Sequence, residues 1–350
     1  MTIPIYNDAA RRASVEHQGL LTKPPGSLGR LEELAAWYAG ALGVFPPPPV
    51  KPAILVFAAD HGVAEEGVSA YPSVVTHAMV QNMARGGAAV NVLAVLLHAN
   101  LFLTNVGVHG SVDEPIGSKV PIRQRVVREG SRNFLKGKAL TGAEVAAAVR
   151  VGRETAAEAI ACGATIIAVG EMGIGNTTAA SAIVAALTGV EAIDATGRGT
   201  GVSDETLRRK VDVVRRALAL HQPVADNPLW AYEAFGGLEM AAMSGAMLEA
   251  AARQVPVMLD GFLAGASALV ARAVDLRVVP YLAASHESAE QAARHELRML
   301  GKEPYLRLNL RLGEGTGALL GIMLLQAAVA CQTQMATFES ASVPVAVANS

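Results

Sequence analysis

The sequence has only two cysteines in 350 residues, Cys162 and Cys331. That excludes a disulfide framework and a thiolate metal cluster. Both lie in apolar surroundings without a ligand-spaced partner, so they read as reduced core residues of a cytosolic protein. Charged residues are scarce at 17%, while hydrophobic ones reach 51%; a chain so apolar has a large core to bury and is not disordered. The net charge is -2 and there is no basic block, which argues against a nucleic-acid partner held by its phosphates. No apolar run attains the ~20 residues of a membrane-spanning helix. The longest, Gly315 to Cys331, is broken by Thr316 and Gln326 and is expected as a buried helix or one at a subunit interface. The N-terminal MTIPIYNDAARRASVEHQ holds no apolar signal core, which points to a cytoplasmic location. There is no H-E-x-x-H or H-x-E pattern and no G-x-S-x-G elbow, so neither a metal nor serine-hydrolase chemistry is expected.

The chain is rich in short apolar runs and Ala-rich helical segments. FPPPPV, residues 45–50, cannot continue a helix. It sets off a helical appendage, residues 1–45 with a helix over about Gly29 to Gly43, completed by C-terminal residues. Residues 50–335 are expected to form an α/β catalytic domain. Its runs AILVFAA (53–59), NLFLTNVGV (100–108), ATIIAVG (164–170), VPVMLDG (255–261) and RVVPYLAA (277–284) suit strands buried on both faces, as in a parallel sheet. Between them lie helices. One opens on Thr141 with Glu144 three residues later, a capping-box pattern; another opens on Ser203 with acidic residues in its first turn. The alternation implies an α/β fold with a mostly parallel sheet flanked by helices. LRLNLRL (306–312) alternates and reads as a half-buried extended segment.

Each run ends in a polar or glycine-rich cluster: Asp60-His61-Gly62, His109-Gly110, Glu171-Met172-Gly173, Asp260-Gly261 and Ser285-His286-Glu287. In open α/β sheets ligands bind beyond the carboxyl ends of the strands, so these clusters should converge. GEMGIGNTTAAS (170–181) follows a strand and opens a helix. Gly173 and Gly175 allow a tight turn, Asn176, Thr177 and Thr178 offer donors, and a helix N-terminus favours an anion. It is not a Walker A loop, and Thr178 spoils a dinucleotide fingerprint. ATGRGTGVSDETLRRK (195–210) is a second candidate anion loop, with Arg198 or Lys210. Residues 65–94 include Tyr71, Ser73, Gln81, Met79 and Met83, suited to a flat apolar ligand, although core packing is the default for methionines. His17, His77, His98, His221 and His295 are expected to be structural or exposed. Glu314 stands among glycines at the mouth of the most apolar segment, although an unpaired buried carboxylate is costly.

TKPPGSLGRLE (22–32), ADHGVAEEGVSAYP (59–72), GEMGIGNTT (170–178), LDGF (259–262), SHESAE (285–290) and RLGEGTGA (311–318) occur in this order. Together they closely resemble the nicotinate-nucleotide:dimethylbenzimidazole phosphoribosyltransferases of cobalamin biosynthesis, over nearly the whole chain. The resemblance implies phosphoribosyl transfer from nicotinate mononucleotide to 5,6-dimethylbenzimidazole, with inversion at C1′. It also implies a Rossmann-like larger domain, a smaller helical domain, a homodimer and no metal or other cofactor. Glu314 matches the family's catalytic glutamate, and Glu171 is a second carboxylate of less defined role. Phosphate and ribose candidates are Gly173, Gly175, Asn176, Thr177, Thr178, Gly199, Thr200, Gly201 and Lys210, with Asp260 and Ser288. Benzimidazole candidates are Ser73, Gln81, Met172 and Leu312. Two rivals stay open at this point: a phosphoribosyltransferase for another aromatic base, and a nucleotide- or base-binding protein without turnover.

Overall fold

All five apolar runs enter one parallel sheet. The computed structural model describes residues 2–199, 201–224 and 227–344. Its strands are β1 (Pro52–Ala59), β2 (Asn100–Gly107), β3 (Ile122–Gln124), β4 (Ile166–Met172), β5 (Val257–Leu259) and β6 (Leu282–Ala284), in the order β3-β2-β1-β4-β5-β6. Every neighbouring pair is parallel. The last run yields only three strand residues. Its first part, Leu276–Tyr281, is a 3-10 turn containing Pro280, which has no N–H to give a ladder.

The helices are α1 (Asp8–Gln18), α2 (Arg30–Leu42), α3 (Val74–Arg85), α4 (Ala89–Leu96), α5 (Gly142–Ala161), α6 (Asn176–Thr188), α7 (Ala192–Ala195), α8 (Asp204–Leu220), α9 (Trp230–Phe235), α10 (Leu238–Ala252), α11 (Phe262–Val274), α12 (Ala293–Leu300) and α13 (Thr316–Gln334). Strand side chains alternate between faces. Ala53, Leu55 and Phe57 therefore join α5, α6, α10 and α11 in one core. Ile54, Val56 and Ala58 join α2, α3, α4 and α13 in the other. The chain steps outward from β1 to β3, then returns to place β4 on the other side of β1. Such a reversal opens a crevice beyond the carboxyl ends of the two central strands.

The predicted capping box of α5 is present: Thr141 Oγ1 accepts from Glu144 N at 3.2 Å and Thr141 N donates to Glu144 Oε2 at 2.7 Å. Thr141→Ala should cost about 1 kcal/mol, readable as a lower urea midpoint with unchanged m. Ser203 caps α8 through Thr206 N at 3.2 Å. By length and composition alone α13 could cross a membrane; here it packs on α1, α2, α4, β4 and β5.

Two expectations are corrected. Cys162 is exposed and Cys331 only half-buried. Cys162 ends α5, just before the left-handed turn at Gly163 (φ 92°), and so leaves the core. Residues 306–312 are half-buried only at Leu306 and Leu310: Leu308 and Leu312 are 50% and 56% exposed. The segment forms no strand; it lies along residues 285–290, tied by Glu287 N to Leu306 O and Ala289 N to Leu310 O at 2.9 and 3.0 Å.

Candidate active site

The loop after β4 is fixed by close packing. A Cβ on Gly173 would lie 2.4 Å from Ala59 O, at the end of β1, so only glycine fits there. Gly175, left-handed at φ 93°, starts α6. Ile174 N donates to Thr76 Oγ1 of α3 at 3.1 Å. Asn176 Nδ2 donates to Glu171 Oε2. Behind this loop, His61 and Glu239 form a fully buried pair, Nε2 to Oε1 at 2.7 Å. Burial favours neutral imidazole, but Glu239 outweighs it and His61 is raised above its ordinary pKa.

Facing Glu171 is the loop that carries Glu314. Gly313, Glu314 and Gly315 are all left-handed, with φ of 85°, 63° and 84°. For a glutamate this conformation costs roughly 1–3 kcal/mol and is tolerated only where surroundings enforce it. They do. A Cβ on Gly170 of β4 would lie 2.4 Å from both Glu314 C and O, so the loop backbone rests directly on the strand. Asp260 holds it from the other side, accepting from Ala318 N at 2.9 Å and Gly315 N at 3.3 Å. Its carboxylate thus caps α13, where negative charge is favoured.

Four acidic side chains, Glu171, Glu239, Asp260 and Glu314, are at most 7% exposed. Glu239 has His61 and Asp260 has backbone amides. Glu171 is pushed well above the usual carboxylate range by burial, then by Glu239, Asp260 and Glu314. Glu314 is raised to about 7 by burial and by Asp260, with the Val90 amide of α4 drawing it back. Its Oε2 is buried without a hydrogen-bond partner among the described residues. A near-neutral carboxylate with an unused oxygen in a cavity is the signature of a proton acceptor.

The far end of the cavity is a cationic corner. Lys210 is 1% exposed, and its Nζ donates to Thr177 Oγ1 at 3.0 Å. Burial lowers it to about 8, opposed by Glu290. A Cβ on Gly199 would sit 3.1 Å from Thr177 Oγ1 and 3.4 Å from Lys210 Nζ; one on Gly201 would sit 3.3 Å from Arg311 Nη1. Two cations and a hydroxyl suit a phosphate. Lys210→Met should raise the KM of a phosphorylated substrate about 10-fold or more, since one charge-assisted bond is worth roughly 1.5–3 kcal/mol, with little effect on an uncharged co-substrate. Separate KM measurements for each substrate check this.

The structure brings together Glu171, Met172, Gly173, Asn176, Thr177, Gly199, Asp260, Ser288, Leu312 and Glu314 as cavity lining. Gly175, Gly201 and Lys210 stand just behind it. Thr178 is wholly buried and faces the core; Thr200 lies outside the described residues. Ser73 and Gln81 do not line the cavity. Ser73 precedes α3 and Gln81 lies on it, and Gln81 Nε2 is already bound to Asp113 O at 2.6 Å. Asp260 lines the wall, but its oxygens are engaged by α13. His286 lines the cavity, as its cluster was expected to; the sequence reading missed Arg311 and Glu290, although both lie inside quoted motifs. It also missed Glu239, an ordinary helix residue until the fold sets it beside His61. Among the described residues no three His, Cys, Asp or Glu side chains are grouped to hold a metal ion.

Comparison with known proteins agrees with this geometry. A family model described as phosphoribosyltransferase matches residues 3–343. The nicotinate-nucleotide–dimethylbenzimidazole phosphoribosyltransferase of Chloroflexus aggregans is 46% identical over 337 residues, spanning 96% of this chain and 94% of its own. That of Chromobacterium violaceum is 46% identical over 335 residues, 96% of both chains. The crystal structure of CobT from Thermus thermophilus superposes with a TM-score of 0.91 at 44% identity, covering 97% of this chain and 100% of that one. With a strand order that opens the crevice, two carboxylates across it and a cationic corner at its end, the chain belongs to the nicotinate-nucleotide–dimethylbenzimidazole phosphoribosyltransferase family.

Proposed function

We propose that this chain transfers the phosphoribosyl group of nicotinate mononucleotide to 5,6-dimethylbenzimidazole, giving α-ribazole 5′-phosphate and nicotinate with inversion at C1′, a step of cobalamin biosynthesis. The observation that carries this reading is Glu314, a buried carboxyl with a pKa of about 7 and a free oxygen in the cavity.

The donor ring nitrogen is a pyridinium. When its bond to C1′ breaks, the electron pair returns to the ring and nicotinate leaves without needing an acid. Positive charge grows on the ribose C1′–O4′ unit, and Glu314, ionised before it takes the proton, favours it. One benzimidazole nitrogen gives its lone pair to C1′ from the opposite face. The proton on the other nitrogen passes to Glu314, which leaves a neutral product ring. Glu171, its carboxyl pushed up by burial and then by its acidic neighbours and anchored by Asn176, orients the reacting rings. Met172 and Leu312 offer apolar contact to the benzimidazole. Thr177, Ser288 and the Gly199 backbone, backed by Lys210 and Arg311, hold the 5′-phosphate; Gly173, Gly175 and Asn176 bring the α6 N-terminus to the same donor.

We read α1, α2 and the adjoining part of α13 as the smaller helical domain, and the enzyme as a cytoplasmic homodimer. Val92, Val95 and Leu96 of α4, 64%, 77% and 60% exposed, form an apolar stripe suited to a second copy, and light scattering reads the mass. The functional test is direct. The protein is incubated with both substrates, and the new nucleotide and nicotinate are followed by chromatography. Equal release of both is expected; a folded sample that releases neither overturns the reading.

A further inference from the structure

A second concavity lies on the other side of the wall formed by residues 287–290. Ser288 and Glu290 line both it and the catalytic cavity. Its remaining polar lining is mainly cationic: Arg294, Arg298, Lys302 and Arg307. Glu287 clamps two of these, Oε1 to Arg294 Nε at 2.8 Å and Oε2 to Arg307 Nε at 3.1 Å. Both arginines are engaged through Nε. The Arg294 contact is a hydrogen bond and the Arg307 contact an ion pair, and neither guanidinium gives a hydrogen bond from its terminal nitrogens among the described residues. One carboxylate therefore draws together two guanidinium groups, 76% and 82% exposed, and leaves their outer N–H edges free, a geometry that suits a tetrahedral oxyanion.

Lys302 is the more telling residue. Gly301 ends α12 in the left-handed conformation at φ 61°, and Lys302 N donates to Leu297 O at 2.9 Å. This is the position after the cap where an apolar side chain usually packs back on the helix. Here a half-buried lysine is pulled down to about 8 by its partial burial, yet its Nζ meets no carboxylate among the described residues. Arg298 is likewise without an ion pair among them. The helix end tolerates cations, but it does not explain why one is desolvated in a concave surface beside two oriented arginines.

We propose that this groove is a second anion site, built for a phosphoryl dianion, and that its occupant bears on the catalytic cavity through Ser288 and Glu290. Four cations stand against Glu287 and the shared Glu290, so the groove retains about two positive charges for its ligand. The ligand chemistry is that of orthophosphate or of a diphosphate group, and titrating each separately distinguishes them.

The test is calorimetric titration of orthophosphate, then of pyrophosphate, into the full-length protein and its Lys302→Met and Arg298→Ala variants. Met suits the position after the helix cap, so Lys302→Met should melt no lower than wild type. Each variant is expected to lose one bound anion per chain, or to weaken it at least tenfold, while kcat in anion-free buffer stays at the wild-type value. Loss with orthophosphate marks free phosphate as the ligand; loss with pyrophosphate alone marks a diphosphate. If Lys302→Met, folded, binds both anions as wild type does, or if neither anion binds wild type, the proposal fails.

Discussion

A Glu314→Gln enzyme should bind nicotinate mononucleotide and dimethylbenzimidazole like wild type and turn them over about 10²–10⁴-fold more slowly, the range for loss of a general base. Glutamine keeps the shape and fills the same space. It cannot accept the benzimidazole proton. The loss should therefore appear in kcat and leave the dissociation constants near their wild-type values. Unchanged turnover would remove Glu314 from the role of base.

The same residue sets a pH signature. A base at Glu314 works only when ionised, and burial raises this carboxyl to about 7, so under the proposed role wild-type kcat should rise with pH through that region; the Gln variant should lose this limb. Stability runs the other way. The folded pKa is raised from 4.5, so the fold prefers the protonated group. Its contribution is fully present below the unfolded value and is lost as pH rises to about 7. Wild type should lose stability relative to Glu314→Gln across that window, seen as diverging Tm values. Activity and stability thus make opposite demands on one carboxyl.

Much of this was legible in the sequence, for identifiable reasons. Strands buried on both faces write themselves as unbroken apolar runs, so β1 and β4 stand out. The capping box of α5 and the Ser203 cap are local chemistry and need no fold to be read. Glu314 between two glycines is equally local. What could not be read depends on long-range placement. Asp260 looks like a ligand contact until α13 arrives to occupy both its oxygens. Gln81 looks free until the 111–113 loop takes its amide. Cys162 looks apolar by its neighbours, but the helix ends there and turns it outward. Glu239 carries no local signal, because its partner His61 is 178 positions away.

Gly170→Ala should damage turnover although it touches none of the reacting groups. Gly170 lies within β4 and pairs with Val56 of β1. No left-handed φ is recorded there, so alanine suits the strand backbone. The obstacle is the Glu314 loop, whose C and O atoms would be 2.4 Å from the new methyl, with Gly315 N at 2.6 Å. These are backbone atoms that cannot rotate away. They are pinned by Asp260 on one side and by Ile54 on the other, since a Cβ on Gly315 would meet Ile54 Cδ1 at 2.4 Å. Either the strand or the loop must shift, at about 1–3 kcal/mol for an overpacked core. A displacement of about 1 Å at a catalytic group costs roughly 10²-fold in rate. The variant should therefore fold with a lower Tm and lose about 10²-fold in kcat. The KM for nicotinate mononucleotide should change far less, because the phosphate corner at Thr177 and Lys210 is built on other elements. A variant with wild-type kcat would show that the loop does not depend on this contact, and that the geometry of Glu314 is enforced by Asp260 alone.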